Sequence, residues 1–224
     1  MIRKLFSSNK LPENLPKFYK DYAASLENMP SAISETRFVV FDTETTGLDP
    51  NEDRILSIGA VSVKNFQIDI SENLELYLQQ DFFNPESVKI HGLIQNEKFE
   101  KISEEKAIEQ FLDYSHGSVL VAHHAGFDVK MINRALKRMG LPKLRNKVLD
   151  TGMMYKKNRL ITNLIDRDKV YSLDEIAEAY NIDLVDRHTA TGDAFITALV
   201  FLKLLGRIGN KDSLSLDKLV KLKY

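Results

Sequence analysis

The feature that most restricts the fold is a change of period part-way along the chain. Three extended runs follow one another closely: Arg37 to Asp42 (RFVVFD), Arg54 to Lys64 (RILSIGAVSVK) and Gln67 to Leu78 (QIDISENLELYL). They are apolar, β-branched or alternating, and their short connections predict an antiparallel meander. From Ala107 onward the pattern is different. Ala107, Ile108, Phe111 and Leu112 mark a helix, Ser118 to Ala122 (SVLVA) a buried strand, Val129 to Met139 a helix, and Val148 to Asp150 a short strand. Ser172 and Glu175 form a capping box ahead of an apolar stripe, and Ala194 to Leu205 reads as a long apolar helix. Strands first and βαβ alternation afterwards call for an α/β fold in which a mixed sheet, an antiparallel meander plus parallel strands, is flanked by helices.

The two ends of the chain read differently from the middle. Leu15, Phe18, Tyr19, Tyr22, Ala23 and Leu26 recur at helical spacing, and Pro30 with the polar stretch after it breaks the pattern, so residues 1–35 are expected to be an N-terminal helical appendage. Residues 36–206 are expected to be the main domain, and residues 207–224 a C-terminal helical extension packed on it. The appendage, with Phe18, Tyr19 and Tyr22, lies on the body or on a partner. No apolar run approaches the ~20 residues that span a bilayer. The opening MIRKLFSSNKLPENLPKF has no apolar core long enough for a secretory signal, so a cytoplasmic chain without membrane contact is expected.

Composition matters at two points. The chain has no Cys, which excludes disulfides, thiolate metal sites and a Cys nucleophile. Its net charge of −1 conceals an asymmetry, for between Lys130 and Arg159 ten basic residues face the single acid Asp150. A charge run of this kind is ordinarily a solvated face. The competing reading is a track for a polyanion, because Lys130, Arg134, Lys137 and Arg138 share one helix face.

Three clusters carry chemistry. In Phe41-Asp42-Thr43-Glu44-Thr45-Thr46-Gly47, Asp42 and Glu44 are two apart at a strand end and so present their carboxylates on the same face. Such a pair repels unless a cation lies between, and hard divalent cations take oxygen ligands. Taken alone, the segment is also a polar turn reversed at Gly47. In His123-His124-Ala125-Gly126-Phe127-Asp128, Asp128 falls near the start of the helix after SVLVA, where an acid also favours a helix N-terminus. In His188-Thr-Ala-Thr-Gly-Asp193, five helical residues would turn the two side chains roughly 140° apart. His188 is therefore expected on the turn before the helix, with Asp193 in its first turns. His is the side chain best suited to move a proton near neutral pH.

Together these residues resemble the DEDD exonuclease superfamily, in the branch with a catalytic His (DEDDh), over about residues 37–205. Asp42 and Glu44 match its first motif, Asp128 its second, and His188 and Asp193 its third at the family's four-residue gap. Ile90-His91-Gly92-Leu93 resembles the family's His-Gly nucleotide-site segment, and Val148-Leu149-Asp150-Thr151 its late strand end. Within the family the likeness is to the epsilon proofreading subunits of bacterial DNA polymerase III.

The resemblance implies a ribonuclease H-like fold, residues 36–206 as the exonuclease domain, and 3′ to 5′ exonuclease activity on single-stranded DNA or RNA ends. It implies that Asp42, Glu44, Asp128 and Asp193 hold two Mg²⁺ or Mn²⁺ ions and that His188 takes the proton from the attacking water. Thr45, Leu48, His91, His124 and Phe127 are the candidates for gripping the terminal nucleotide, although an aromatic placed like Phe127 is as often core. Many relatives carry Asn where this chain has His124. A DNA polymerase is the implied partner, and the oligomeric state stays open. Two other functions share the pattern: an RNA-trimming exonuclease similar to ribonuclease T or oligoribonuclease, and a non-catalytic nucleic-acid-binding module with this fold.

Overall fold

The structure is a computed structural model of the chain and describes residues 11–80, 100–160, 169–208 and 215–221. Helix α1 (Lys17–Ser25) precedes the strands β1 (Arg37–Thr45), β2 (Ile55–Lys64) and β3 (Gln67–Leu78). There follow β4 (Lys101–Ile102), α2 (Glu104–Tyr114), β5 (Ser118–Ala122), α3 (Gly126–Arg138), β6 (Val148–Asp150) and α4 (Thr151–Leu160). Helices α5 (Leu173–Ala179), α6 (Ala190–Arg207) and α7 (Leu216–Lys221) complete the described elements. Six strands among the described residues form one sheet in the order β4-β3-β2-β1-β5-β6. The expected meander is its β3-β2-β1 half, and β5 and β6 add to β1 in parallel.

Alternation along β1 separates two apolar layers. Phe38 and Val40 pack with Val200, Phe201 and Leu204 of α6, and the Phe38 and Phe201 rings lie 5.0 Å apart, edge to face. Val39 and Phe41 pack on the other side with α2 and α3, where Phe41 meets Phe111 at 5.2 Å. Helix α1 joins this second layer, since Tyr19 and Tyr22 are fully buried in it. Their hydroxyls reach the segment before β6, Tyr19 donating to the Lys143 carbonyl at 2.8 Å and Tyr22 to Asn146 Oδ1. At the other end, Leu216 and Leu219 of α7 are buried in the first layer, and the Leu216 N–H donates to the Ser31 carbonyl.

Three elements extend beyond the bounds that periodicity suggests, and each extension reaches a carboxylate. Strand β1 continues to Thr45 because its pairing with β2 runs on through a bulge between Glu44 and Thr45. Helix α3 starts at Gly126 rather than Val129. Helix α6 starts at Ala190 rather than Ala194, capped by Thr189, whose Oγ1 accepts from the Gly192 N–H at 3.1 Å.

Candidate active site

The cluster forms where the two layers meet at the C-terminal end of β1. Asp42 and Glu44 continue the Phe38 and Val40 side of the strand and therefore face α6. Thr43 faces the other layer. Its N–H and its hydroxyl both donate to Asp128 Oδ1, at 3.1 and 2.7 Å, which fixes this buried carboxylate in the first turn of α3. Asp193 arrives from above. Gly59 of β2 pairs with Asp42, and a Cβ at Gly59 would lie 2.2 Å from the backbone of Ala190 and Thr191. Only a residue without a side chain lets the N-terminus of α6 sit this low on the sheet. As a result Asp42, Glu44 and Asp193 bring one oxygen each within 4.8 Å of one another.

Desolvation is the first cause that raises all four carboxyl pKa values, and neighbouring negative charge adds to it at each. Asp42 is driven well above the ordinary carboxylate range by burial and then by Asp128, Asp193 and Glu44. Glu44 is pushed up to about 7 by burial and then by Asp193. Asp128 is likewise pushed up to about 7, its bonds from Thr43 partly opposing the effect of burial. For Asp193 burial raises the value while Arg187 pulls it down. Hard oxygen donors, held close and deprived of water, match the chemistry of a divalent cation, which would remove the repulsion. The donor set therefore fits the metal that the motif implies.

His188 is exposed on the turn before α6 with φ +66°, and its backbone N–H donates to Asp193 Oδ1 at 3.4 Å. His124 is also exposed, at φ +54°, with its ring over the start of α4: a Cβ on Gly152 would meet its Cε1 at 3.1 Å. His123 differs from both. Its ring lies between the Thr151 hydroxyl (3.0 Å) and the Tyr171 carbonyl (3.1 Å), and burial holds its pKa down at about 4, so it is a neutral structural tie. Thr45 is buried and donates to the Gly47 carbonyl at 2.7 Å, whereas Leu48 is 85% exposed at the loop beyond. Phe127 is partly buried against the α2 and α3 layer. His91 and its neighbours lie outside the described residues.

Periodicity does not reveal Arg187. Its guanidinium spans two elements, donating to Asp174 Oδ1 of α5 at 2.6 Å and to Asp193 Oδ2. In this way it brings a positive charge to the acidic cluster, lowering the pKa values of Asp42, Glu44 and Asp193. No spacing rule links positions 174 and 187. Thr43 was legible in principle, since a residue between two alternating carboxylates must face the opposite layer.

Both the sequence and the fold have known counterparts. The sequence family RNase_T, described as Exonuclease, matches residues 39–201. The chain belongs to this exonuclease family. The family is one of exonucleases, which implies a divalent metal, and the acidic cluster suits one. The exonuclease is 37% identical over 180 residues to a DNA polymerase III PolC-type of Caldanaerobacter subterraneus subsp. tengcongensis, covering 78% of this chain and 12% of that protein. Thus it spans about an eighth of such PolC-type relatives. It is 30% identical over 192 residues to the DNA polymerase III subunit epsilon of Aquifex aeolicus, covering 84% of this chain and 91% of that one. In fold it matches the zinc-bound form of the E. coli ExoI–ssDNA complex with a TM-score of 0.68 at 17% identity, over 77% of this chain and 41% of that one. Among the described residues no helix is long and apolar enough to cross a membrane.

Proposed function

We propose that this exonuclease removes mononucleotides from the 3′ ends of DNA, as the proofreading activity of a DNA polymerase III assembly in the cytoplasm. The observation that carries the reading is the convergence of Asp42, Glu44 and Asp193 within 4.8 Å, with Asp128 beside them on its Thr43 tether. These four side chains hold two Mg²⁺ or Mn²⁺ ions. When bound, such a pair supplies charge that activates a water and stabilises the departing 3′ oxygen. His188, on its exposed turn, accepts a proton from the attacking water. Hydrolysis then breaks the P–O3′ bond, transfers hydroxide to phosphorus and leaves the proton on the 3′ oxygen. The products are a nucleoside 5′-monophosphate and a strand shortened by one. Exposed Leu48 and His124 are free to touch the terminal nucleotide, with Thr45 shaping the loop that carries Leu48 and Phe127 behind them.

The DNA assignment and the polymerase partner are supported by the relatives, which are DNA polymerase III components by name. The test is a time course on three 5′-labelled substrates, single-stranded DNA, a mismatched primer-template and RNA, each with Mg²⁺, with Mn²⁺ and with chelator. Ladders shortening from the 3′ end, metal-dependent and fastest on the mismatched primer or single-stranded DNA, are expected. Faster trimming of RNA would transfer the reading to an RNA-processing enzyme. Binding without turnover in either metal would make it a binding module.

A further inference from the structure

A groove of about 660 Å³ runs between the β1–β2 loop and helix α3, a volume typical of ligand-binding clefts, roughly 300–1,000 Å³. Lys130, Arg134 and Lys137 line it at successive turns of one helix face, and Lys143 joins them from the segment after the helix. Asn51 contributes from the loop wall, and the Arg134 guanidinium donates across the groove to its Oδ1. The opposite face of α3, with Asp128, Met131, Ile132, Ala135 and Leu136, is buried, so the basic face is turned outward.

What distinguishes this surface from an ordinary solvated charge run is the pairing pattern. Among the described residues no carboxylate forms an ion pair with Lys130, Lys137 or Lys143. Arg138, by contrast, turns away and forks onto Glu104 of α2 with two bonds of 2.7 Å. The four-residue basic face expected from spacing is thus corrected: Arg138 leaves it and Lys143 replaces it. Unpaired cations gathered along a concavity focus their field on an anion. Both walls also start at the carboxylate cluster, because the loop follows β1 just after Glu44 and α3 carries Asp128 in its first turn. Lys137 lies about 13 Å beyond Asp128 along the helix axis.

We propose that this groove binds the backbone phosphates of the strand whose 3′ end lies at the carboxylates, several nucleotides upstream of the bond being cut. The strand leaves the cluster past exposed Leu48 and enters between the loop and α3. This inference rests on the exonuclease reading above and adds to it a surface for the length of the substrate.

The experiment measures binding of a fluorescent 16-nucleotide single strand to the full chain in chelator, across a series of salt concentrations. Neutralising Z phosphates of a single strand gives a log-log salt slope of about −0.7Z. The double variant Lys137→Gln/Lys143→Gln is expected to flatten the slope by roughly 1.4. Arg138→Gln, whose charge is committed to Glu104, should leave it in place. An unchanged slope in the double variant overturns the inference, as does equal flattening by Arg138→Gln. Equally tight, equally salt-dependent binding of polyglutamate would overturn it too, since the groove would then be only a cationic surface. Hydrolysis of a dinucleotide by the wild-type chain with Mn²⁺ is measured in parallel. Its absence counts against the catalytic reading, and the salt slope reports separately on the groove.

Discussion

At the scale of the residue, Asp193 has two possible counter-charges, and they compete. The Arg187 guanidinium holds one of its oxygens while also binding Asp174, and a bound cation would be the other counter-charge. Arg187→Gln removes that charge from a carboxylate only 7% exposed, a change that costs on the order of 2 kcal/mol when a buried partner is stranded. The loss should be seen by urea unfolding in chelator and should shrink when Mn²⁺ is added, because the cation takes over the role of the guanidinium. An equal loss in both conditions would mean that Arg187 serves only its bond to Asp174. His188 presents the opposite case, an exposed side chain whose hydrogen bond to Asp193 is made by its backbone N–H and survives truncation of the ring. His188→Ala should therefore leave stability and Mn²⁺ binding unchanged while the hydrolysis rate falls about 10²-fold or more. Preservation of the rate would remove His188 from the proton transfer.

At the scale of the element, the site depends on how low α6 sits on the sheet. Gly59→Ala places a methyl group 2.2 Å from the α6 backbone, so the helix must rise. Overpacking of this kind costs about 1–3 kcal/mol, and a displacement near 1 Å at a catalytic group can cost 10²-fold in rate. Both losses are expected together, read from denaturant unfolding and from hydrolysis of single-stranded DNA. Gly206→Ala, in the same helix with nothing within 4 Å of the new methyl, is the control. It should be stabilising by up to about 1 kcal/mol and leave the rate alone. This contrast also explains what the sequence could and could not reveal. Period-two alternation sets the two faces of β1, so the side-by-side placement of Asp42 and Glu44 was legible, as were the strands Gln67–Leu78, Ser118–Ala122 and Val148–Asp150. The capping box at Ser172 was legible for the same reason, since both its members are local and both of its bonds form. By contrast, the contact between Gly59 and Ala190 joins residues far apart in the chain, and nothing in either local pattern announces it. The same holds for Arg187 with Asp174 and for Arg138 with Glu104. Local periodicity reports which face a residue occupies, and it is silent on which distant charge that face will meet.

At the scale of the whole molecule, the carboxylate cluster makes stability a function of both pH and metal. Asp42 and Asp193 are raised, and Glu44 and Asp128 stand at about 7, whereas carboxyls of the unfolded chain titrate near 4. Between those limits the folded state binds more protons than the unfolded one, so the contribution of Glu44 and Asp128 is complete below about pH 4 and is lost as pH rises through about 7, and Asp42 and Asp193 add to it in the same direction. His123 works in the other direction: its pKa falls to about 4 on folding, so its contribution is lost at low pH and complete above about 6.5. A simple pH scan therefore mixes the two effects, but added metal separates them. Divalent cations require ionised carboxylates, and His123 is engaged with Thr151 and Tyr171 rather than with the cluster. Mn²⁺ at a hundredfold excess over its Kd adds about 2.7 kcal/mol, a rise in Tm of roughly 5–10 °C for a chain of this size. At fixed Mn²⁺ that rise should be full at pH 8 and much reduced at pH 5.5, where protons occupy the cluster. Glu44→Gln should raise the metal-free Tm at pH 8, where a carboxyl with a pKa of about 7 is ionised and repels its neighbours, and should diminish the rise with Mn²⁺. If scanning calorimetry finds the same Mn²⁺ effect at both pH values, the four carboxylates are not the site that binds the metal.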